Sequence, residues 1–356
     1  MIRVAICILV AFMFSSAWLR VCAQDEDFVD EKQKKKKRKL DLAGIPIISY
    51  NTSYGAIIGV NTMLFFDVNP RDTISHASVV GLGGGFSQNR SLFAASFCQL
   101  YLKENKWRVS AAGGIGSINF QYFESPVAAG DGEFVDFTAV NSFLVFKVLR
   151  RVKGPLYAGG VFKIQYTNTN FETGQPSEEV VDANGFGITA TYDSRNHVYN
   201  PRSGLFATVT LLNNASWLGS DSSFYSTRVF LNYYVRLSDR STLGARFAYA
   251  GGYGDVPFSG QHSIGGKDIR GYTDGKYRGN TEYSTQAEYR WNFYKRWGAV
   301  AFFGVAFTER PYSGILPGGG GGFRFKMLEA RNVNVGIEVA WGKQDHGVYF
   351  RIGETF

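Results

Sequence analysis

The chain has 356 residues with 16% aromatics, 42 glycines, 9 prolines and a formal charge of +8. A mean hydropathy of −0.13 excludes a polytopic helical membrane protein. Thirty phenylalanines and twenty tyrosines beside so much glycine suit pleated, half-buried surfaces, tight packing and turns.

Residues 1–23 read as a secretory signal peptide. Arg3 supplies the positive end, Val4 to Phe14 the apolar run, and Val21-Cys22-Ala23 a small-residue cleavage site. The run is short for an uncleaved anchor, and Arg20 and Val21 argue against lipidation at Cys22. Export leaves Cys98 as the lone thiol, a small apolar residue with no disulfide to form. Residues 24–43 form a tail whose basic run, Lys34 to Lys39, supplies much of the net charge. On an exported chain that run suits an anionic lipid surface, an acidic partner or plain solvation, and not nucleic acid.

From Gly44 to Phe356 there is no helical period and no linker. Alternation recurs instead. In "EYSTQAEYRWNF" Glu282, Ser284, Gln286, Glu288, Arg290 and Asn292 share one face, and Tyr283, Thr285, Ala287, Tyr289, Trp291 and Phe293 the other. In "VNVGIEVAW" Asn334, Gly336, Glu338 and Ala340 oppose Val333, Val335, Ile337, Val339 and Trp341. Period two over ~10-residue segments with aromatic ends is the pattern of membrane-spanning strands. About 16 such strands are predicted, at 45–52, 55–67, 74–86, 91–103, 107–122, 133–150, 155–169, 183–194, 203–214, 223–237, 241–253, 281–294, 298–308, 321–328, 332–342 and 346–356. Alternate connections are tight ("ENK", "RVKG", "SDR", "KRW", "LEAR"), and most others are long, at 123–132, 170–182, 215–222, 254–280 and 309–320. That parity predicts an all-β fold: an antiparallel transmembrane barrel with periplasmic turns and extracellular loops. Hydrocarbon allows no open strand edge, so the first and last strands must meet. The first, "IPIISY", contains Pro46, which cannot donate to a ladder; it marks either an openable seam or simply a strand start.

Three stretches stand out. The loop 254–280 carries "IGG" (Ile264 to Gly266) and "IRGY" (Ile269 to Tyr272). "YDSRNHVYNPRSGLF" (Tyr192 to Phe206) is the one long turn expected on the tight side, and "FRIGETF" ends on Phe356. Together they resemble the barrel of the BamA/TamA-type assembly-factor superfamily, the bacterial surface antigen family, over about 310 residues. The resemblance rests on an Arg-Gly-Tyr in the sixth extracellular loop, an Asp-x-Arg…Pro-x-x-Gly turn and a Phe-x-Ile-Gly-x-x-aromatic end. It implies 16 strands and a sixth loop folded back into the lumen. Arg270, with Gly271 and Tyr272, would pin that loop to an inward Glu288. Asp193, Arg195, Pro201 and Gly204 would form the periplasmic turn motif. Phe350, Ile352, Gly353 and Phe356 would form the C-terminal assembly signal, with Phe350, Ile352 and Phe356 pointing outward.

Two departures matter. Many members carry an Asp on the strand after Glu288 where this chain has Gly304, so Arg270 has one family-type partner or recruits Glu338. The family's periplasmic POTRA domains also have no counterpart in the short stretch 24–43. No catalytic or metal constellation is evident. His76, His197, His262 and His346 lie in turns or loops without metal spacing, and His262 beside Ser263 is no productive pair in a strand. "PGGGGGF" (Pro317 to Phe323) lacks the Lys-Ser/Thr of a phosphate loop and reads as a flexible extracellular loop. The expectation is therefore a Gram-negative outer-membrane barrel with no cofactor and no enzymatic activity. Its partners would be outer-membrane lipids and unfolded outer-membrane clients or other assembly subunits. It would insert proteins into the outer membrane or move them across it within a larger assembly; the alternative is a passive pore or scaffold barrel.

Overall fold

The computed structural model describes residues 40–51, 53–124, 133–172, 177–266, 268–273, 275–309 and 314–356. The expected signal peptide and basic run lie outside these residues. The strands are β1 (Leu40–Asn51), β2 (Gly55–Phe66), β3 (Ser78–Ser87), β4 (Leu92–Leu102), β5 (Trp107–Glu124), β6 (Glu133–Lys153), β7 (Leu156–Phe171), β8 (Ser177–Asp182), β9 (Gly185–Asp193), β10 (Gly204–Asn214), β11 (Phe224–Arg236), β12 (Ser241–Gly254), β13 (His262–Ile264), β14 (Tyr277–Gly279), β15 (Thr281–Tyr294), β16 (Trp297–Thr308), β17 (Leu316–Leu328), β18 (Val333–Gly342) and β19 (Asp345–Ile352).

All but β13 and β14 join one antiparallel sheet that closes on itself. β7 pairs with β9 along Leu156–Lys163 and with β8 along Tyr166–Phe171, so β8 and β9 are two halves of one stave. Counted so, the barrel has 16 staves, as the alternation predicts. β13 and β14 form a small hairpin at the base of the sixth loop.

The alternation follows from what each face meets. Ile58, Leu82, Ile188 and Phe303 are exposed on the outer face, where hydrocarbon replaces water. Trp291, Tyr294 and Trp297 ring the end of the tight turns, and Tyr225, Tyr253 and Trp341 the other. Such girdles mark the two interfaces, and the tight-turn end is the periplasmic one in an outer-membrane barrel.

The structure moves four predicted boundaries. β1 begins at Leu40, inside the segment assigned to the tail, and Pro46 sits in mid-strand opposite Val60. Pro46 is therefore an edge-strand proline and not a strand start. The β2–β3 connection runs from 67 to 77, so the turn after β9 is not the one long connection on the tight side. Residues 177–182, expected in a loop, pair with β7. "PGGGGGF" is wall, not loop: Pro317 to Phe323 lie within β17 and pair with both β16 and β18.

The ring closes thinly. β1 pairs with β2 along its whole length, but with β19 only at Asn51↔Gly347. At the periplasmic end the seam is packed by Ala43, Phe65, Val79, Val333 and Ile352. Arg331, in the β17–β18 turn, reaches across to Asp41 (2.9 Å) and grips Asp67 with two nitrogens (2.7 and 3.0 Å).

The long turn after β9 is held by its glycine. Gly204 has φ +105°, and a Cβ there would lie 2.3 Å from the Ser194 carbonyl oxygen. Gly204→Ala is therefore expected to destabilise the barrel by more than about 1 kcal/mol. A lower unfolding midpoint in the gel assay that separates folded from heat-denatured barrels would register it.

Candidate functional site

The sixth loop enters the lumen. Ile264, Ile269, Tyr272 and Tyr277 are fully buried with Phe123, Ala306 and Leu316. Its backbone lies directly on wall glycines. A Cβ on Gly318 would meet the Arg270 carbonyl oxygen at 2.4 Å, and one on Gly342 the Gly271 carbonyl oxygen at 2.6 Å. Gly271 itself has φ +104° and no room for a Cβ beside Trp341. Only glycine on both surfaces allows this approach.

Arg270 is fully buried. Its Nη1 lies 2.5 Å from Glu288 Oε2 and 3.0 Å from Glu338 Oε1. The Glu288 contact is an ion pair without hydrogen-bond alignment, since Oε2 has no hydrogen-bond partner. Nε donates to Gln286 Oε1 (2.9 Å), Nη1 to Thr355 Oγ1 (3.1 Å), and the guanidinium stacks 3.4 Å over the Phe302 ring. Gly304 faces inward without reaching Arg270; a Cβ there would strike the Thr285 carbonyl oxygen at 2.5 Å. The second carboxylate thus comes from Glu338 on β18.

The two glutamates bind further cations. Arg290 Nε donates to Glu288 Oε1 (2.6 Å) and Arg351 Nε to Glu338 Oε2 (2.8 Å); Arg324 pairs with Glu338 and with Glu354 (2.9 Å). Arg290 also donates to the carbonyls of Pro201 (3.2 Å) and Phe356 (2.7 Å). One charge network thereby touches all three sequence motifs: the loop through Arg270, the periplasmic turn through Pro201, and the terminal stretch through Glu354, Thr355 and Phe356. Two further contacts hold the loop. Asp268 accepts from Arg246 Nε (2.9 Å), and Asp345 accepts from the Thr273 N–H (2.8 Å) and lies 3.8 Å from Lys276 Nζ.

Asp193 and Arg195 form a separate cluster. The Asp193 carboxylate takes Arg195 bidentately (2.8 and 3.0 Å) and Arg108 (2.7 Å). Ile352, expected outward, is buried in the seam cluster with Ala43, Phe65 and Val79, and of the pair Phe350 alone stands on the outer face, opposite Ile337. Phe356 does not stand there either. The chain turns at Gly353 (φ +88°), β19 ends, and Phe356 is buried in the lumen near Arg270 and Arg290. At Phe356 the expected outward alternation fails because that left-handed glycine breaks the strand. Sequence reasoning also left out Gln286, Phe302, Arg324, Arg351 and Thr355. Inward parity with Glu338 signals Arg324 and Arg351, but nothing local signals the contact of Thr355.

A closed antiparallel barrel with outward apolar staves and a lumen-locked loop defines a class of outer-membrane β-barrel. Residues 76–314 match the model of the Omp85 superfamily domain, and the chain belongs to that superfamily. Solved structures of similar fold include BamA from Haemophilus ducreyi lacking POTRA domains 1–3 (TM-score 0.54, 13% identity, 89% of this chain and 71% of that one). CdiB from Escherichia coli (0.56, 15%, 89% and 62%) and CdiB from Acinetobacter baumannii (0.55, 14%, 88% and 60%) are similar as well. The chain thus spans under two thirds of the CdiB chains. No curated protein matches it significantly in sequence.

Breaking a buried ion pair by removing one partner costs about 3–5 kcal/mol. Arg270→Ala is expected to fall in that range and to free the loop, seen as new protease cleavage within 255–280. Gly318→Ala should free the same loop with every charge intact, because its methyl group displaces the Arg270 backbone.

Proposed function

We propose that this barrel inserts proteins into the outer membrane, or passes them across it, through the seam between β1 and β19. The observation that carries this reading is the single ladder pair at Asn51↔Gly347. From Leu40 to Tyr50 the outer edge of β1 has no β19 partner, and an unpaired edge is a template for an incoming strand. Among the described residues the other free edge is the short β8, which pairs with β7 alone and lies beside β7 rather than at the junction of the first and last staves. The fold shared with BamA supports the same reading.

The residues divide into roles. Arg270 with Glu288 and Glu338 locks the sixth loop in the lumen. Arg331 with Asp41 and Asp67 latches the seam at its periplasmic end, where β1 must move if an incoming strand is to pair with it. On this reading the chain is exported with cleavage of residues 1–23, and the basic run meets anionic lipid or an acidic partner beside that seam. The chemistry is strand exchange and needs no catalytic residue or cofactor.

The deciding experiment measures the folding of an unfolded client barrel into liposomes containing the protein, its Arg270→Ala variant or neither. Acceleration by the protein that weakens in the variant is expected. No acceleration with both forms folded would leave a passive pore or scaffold barrel. The latch has its own readout. A partly exposed ion pair is worth up to about 1 kcal/mol. Arg331→Gln should then raise hydrogen exchange of the β1 amides up to ~5-fold, with β15 and β16 unchanged.

A further inference from the structure

Most cations described in the lumen above face carboxylates: Arg108 and Arg195 share Asp193, Arg246 has Asp268, Lys276 has Asp345, and four arginines share three glutamates. On the opposite wall three do not. Lys147 on β6 and Lys163 on β7 are diagonal neighbours on the inner face, because Lys147 stands opposite Val161. Such a pair lies about 7–8 Å apart. Arg228 on β11, exposed to the lumen, acts electrostatically on Lys163. Among the described residues none of the three has an ion pair, and Lys163 alone has side-chain partners, both uncharged: Gln165 Oε1 at 3.2 Å and the Phe224 ring, 6.0 Å from its Nζ.

Beside these cations the wall changes character. The inward row that starts at Lys163 continues through Val145, Ala112, Phe97, Gly81 and Met63, one residue on each successive strand. The row above it runs Gln165, Phe143, Gly114, Ala95 and Gly83. Barrel lumens are ordinarily polar. Here Phe97 and Phe143 stay 36% and 39% exposed on the inside. The row from Lys163 to Met63 crosses five strand spacings of about 4.8 Å, an apolar track of ~24 Å with ammonium groups at one end.

We infer that this wall binds a single-chain anionic amphiphile, its phosphate or carboxylate head between Lys147, Lys163 and Arg228 and its tail along Val145, Ala112 and Phe97. The site lies across the lumen from the Arg270 lock and does not depend on insertion activity. The head supplies the missing counter-charge, and the tail covers the exposed phenylalanines. Both needs must be met together, and only an amphiphile meets both.

The test is equilibrium dialysis of radiolabelled dodecyl phosphate, below its micellar concentration, against nanodiscs with and without the protein. Parallel arms use inorganic phosphate and dodecyl maltoside. One saturable site per barrel is expected for dodecyl phosphate alone. Charge-assisted hydrogen bonds are worth about 1.5–3 kcal/mol, so Lys147→Gln with Lys163→Gln should weaken binding at least ~10-fold, and Phe97→Ser several-fold. Folded gel mobility of each variant shows that the barrel itself is intact. Uptake equal to that of empty nanodiscs, or binding unchanged in the lysine variant, would overturn the proposal. So would inorganic phosphate or dodecyl maltoside binding as tightly.

Discussion

A guanidinium without water around it costs several kcal/mol unless carboxylates close in on it. Arg270 is such a group, and much of the lumen follows from accommodating it. Glu288 and Glu338 supply the charge, but two buried carboxylates need more than one cation. Arg290, Arg324 and Arg351 fill that need and in turn call for Glu354 and for the carbonyls of Pro201 and Phe356. Motifs far apart in sequence therefore meet because each buried charge requires the next. The family resemblance named the first link, and the geometry supplies the remainder.

The wall obeys a different constraint. In hydrocarbon each backbone polar group needs a partner within the protein, which makes the staves strong and uniform. The seam departs from that rule, with one ladder pair where its neighbours have many. Packing around Ala43 and Ile352 and the Arg331 contacts hold its periplasmic end, and these are side-chain interactions. Side-chain contacts can be broken and remade one at a time, whereas a ladder opens only as a unit. The barrel thus combines a rigid wall with one edge of separate, weaker fastenings.

Much of this was legible in sequence because the side-chain period of a strand is two. Alternation placed Glu288 and Glu338 on the inner face and set nearly every stave within a few residues. It failed where side chains carry no signal. The run Gly318 to Gly322 has no pattern to read, so it passed for a loop, although its bareness is what lets the sixth loop lie on the wall. It also failed at Gly353, where one left-handed residue redirects Phe356 inward. The unpaired length of the β1 edge was not legible at all, since it depends on register between the two ends of the chain.

The charge network has a kinetic side. Its partners are distant: Arg270 and Thr355 are 85 residues apart, Arg290 and Pro201 89. Hairpins between adjacent staves close early because they are local, and contacts of this span close late. A chain whose last two strands are unplaced has no Glu338 or Thr355 to offer Arg270, and the loop has nowhere to settle. Docking of the sixth loop is therefore a built-in checkpoint, and it completes only in a barrel whose circumference is already assembled.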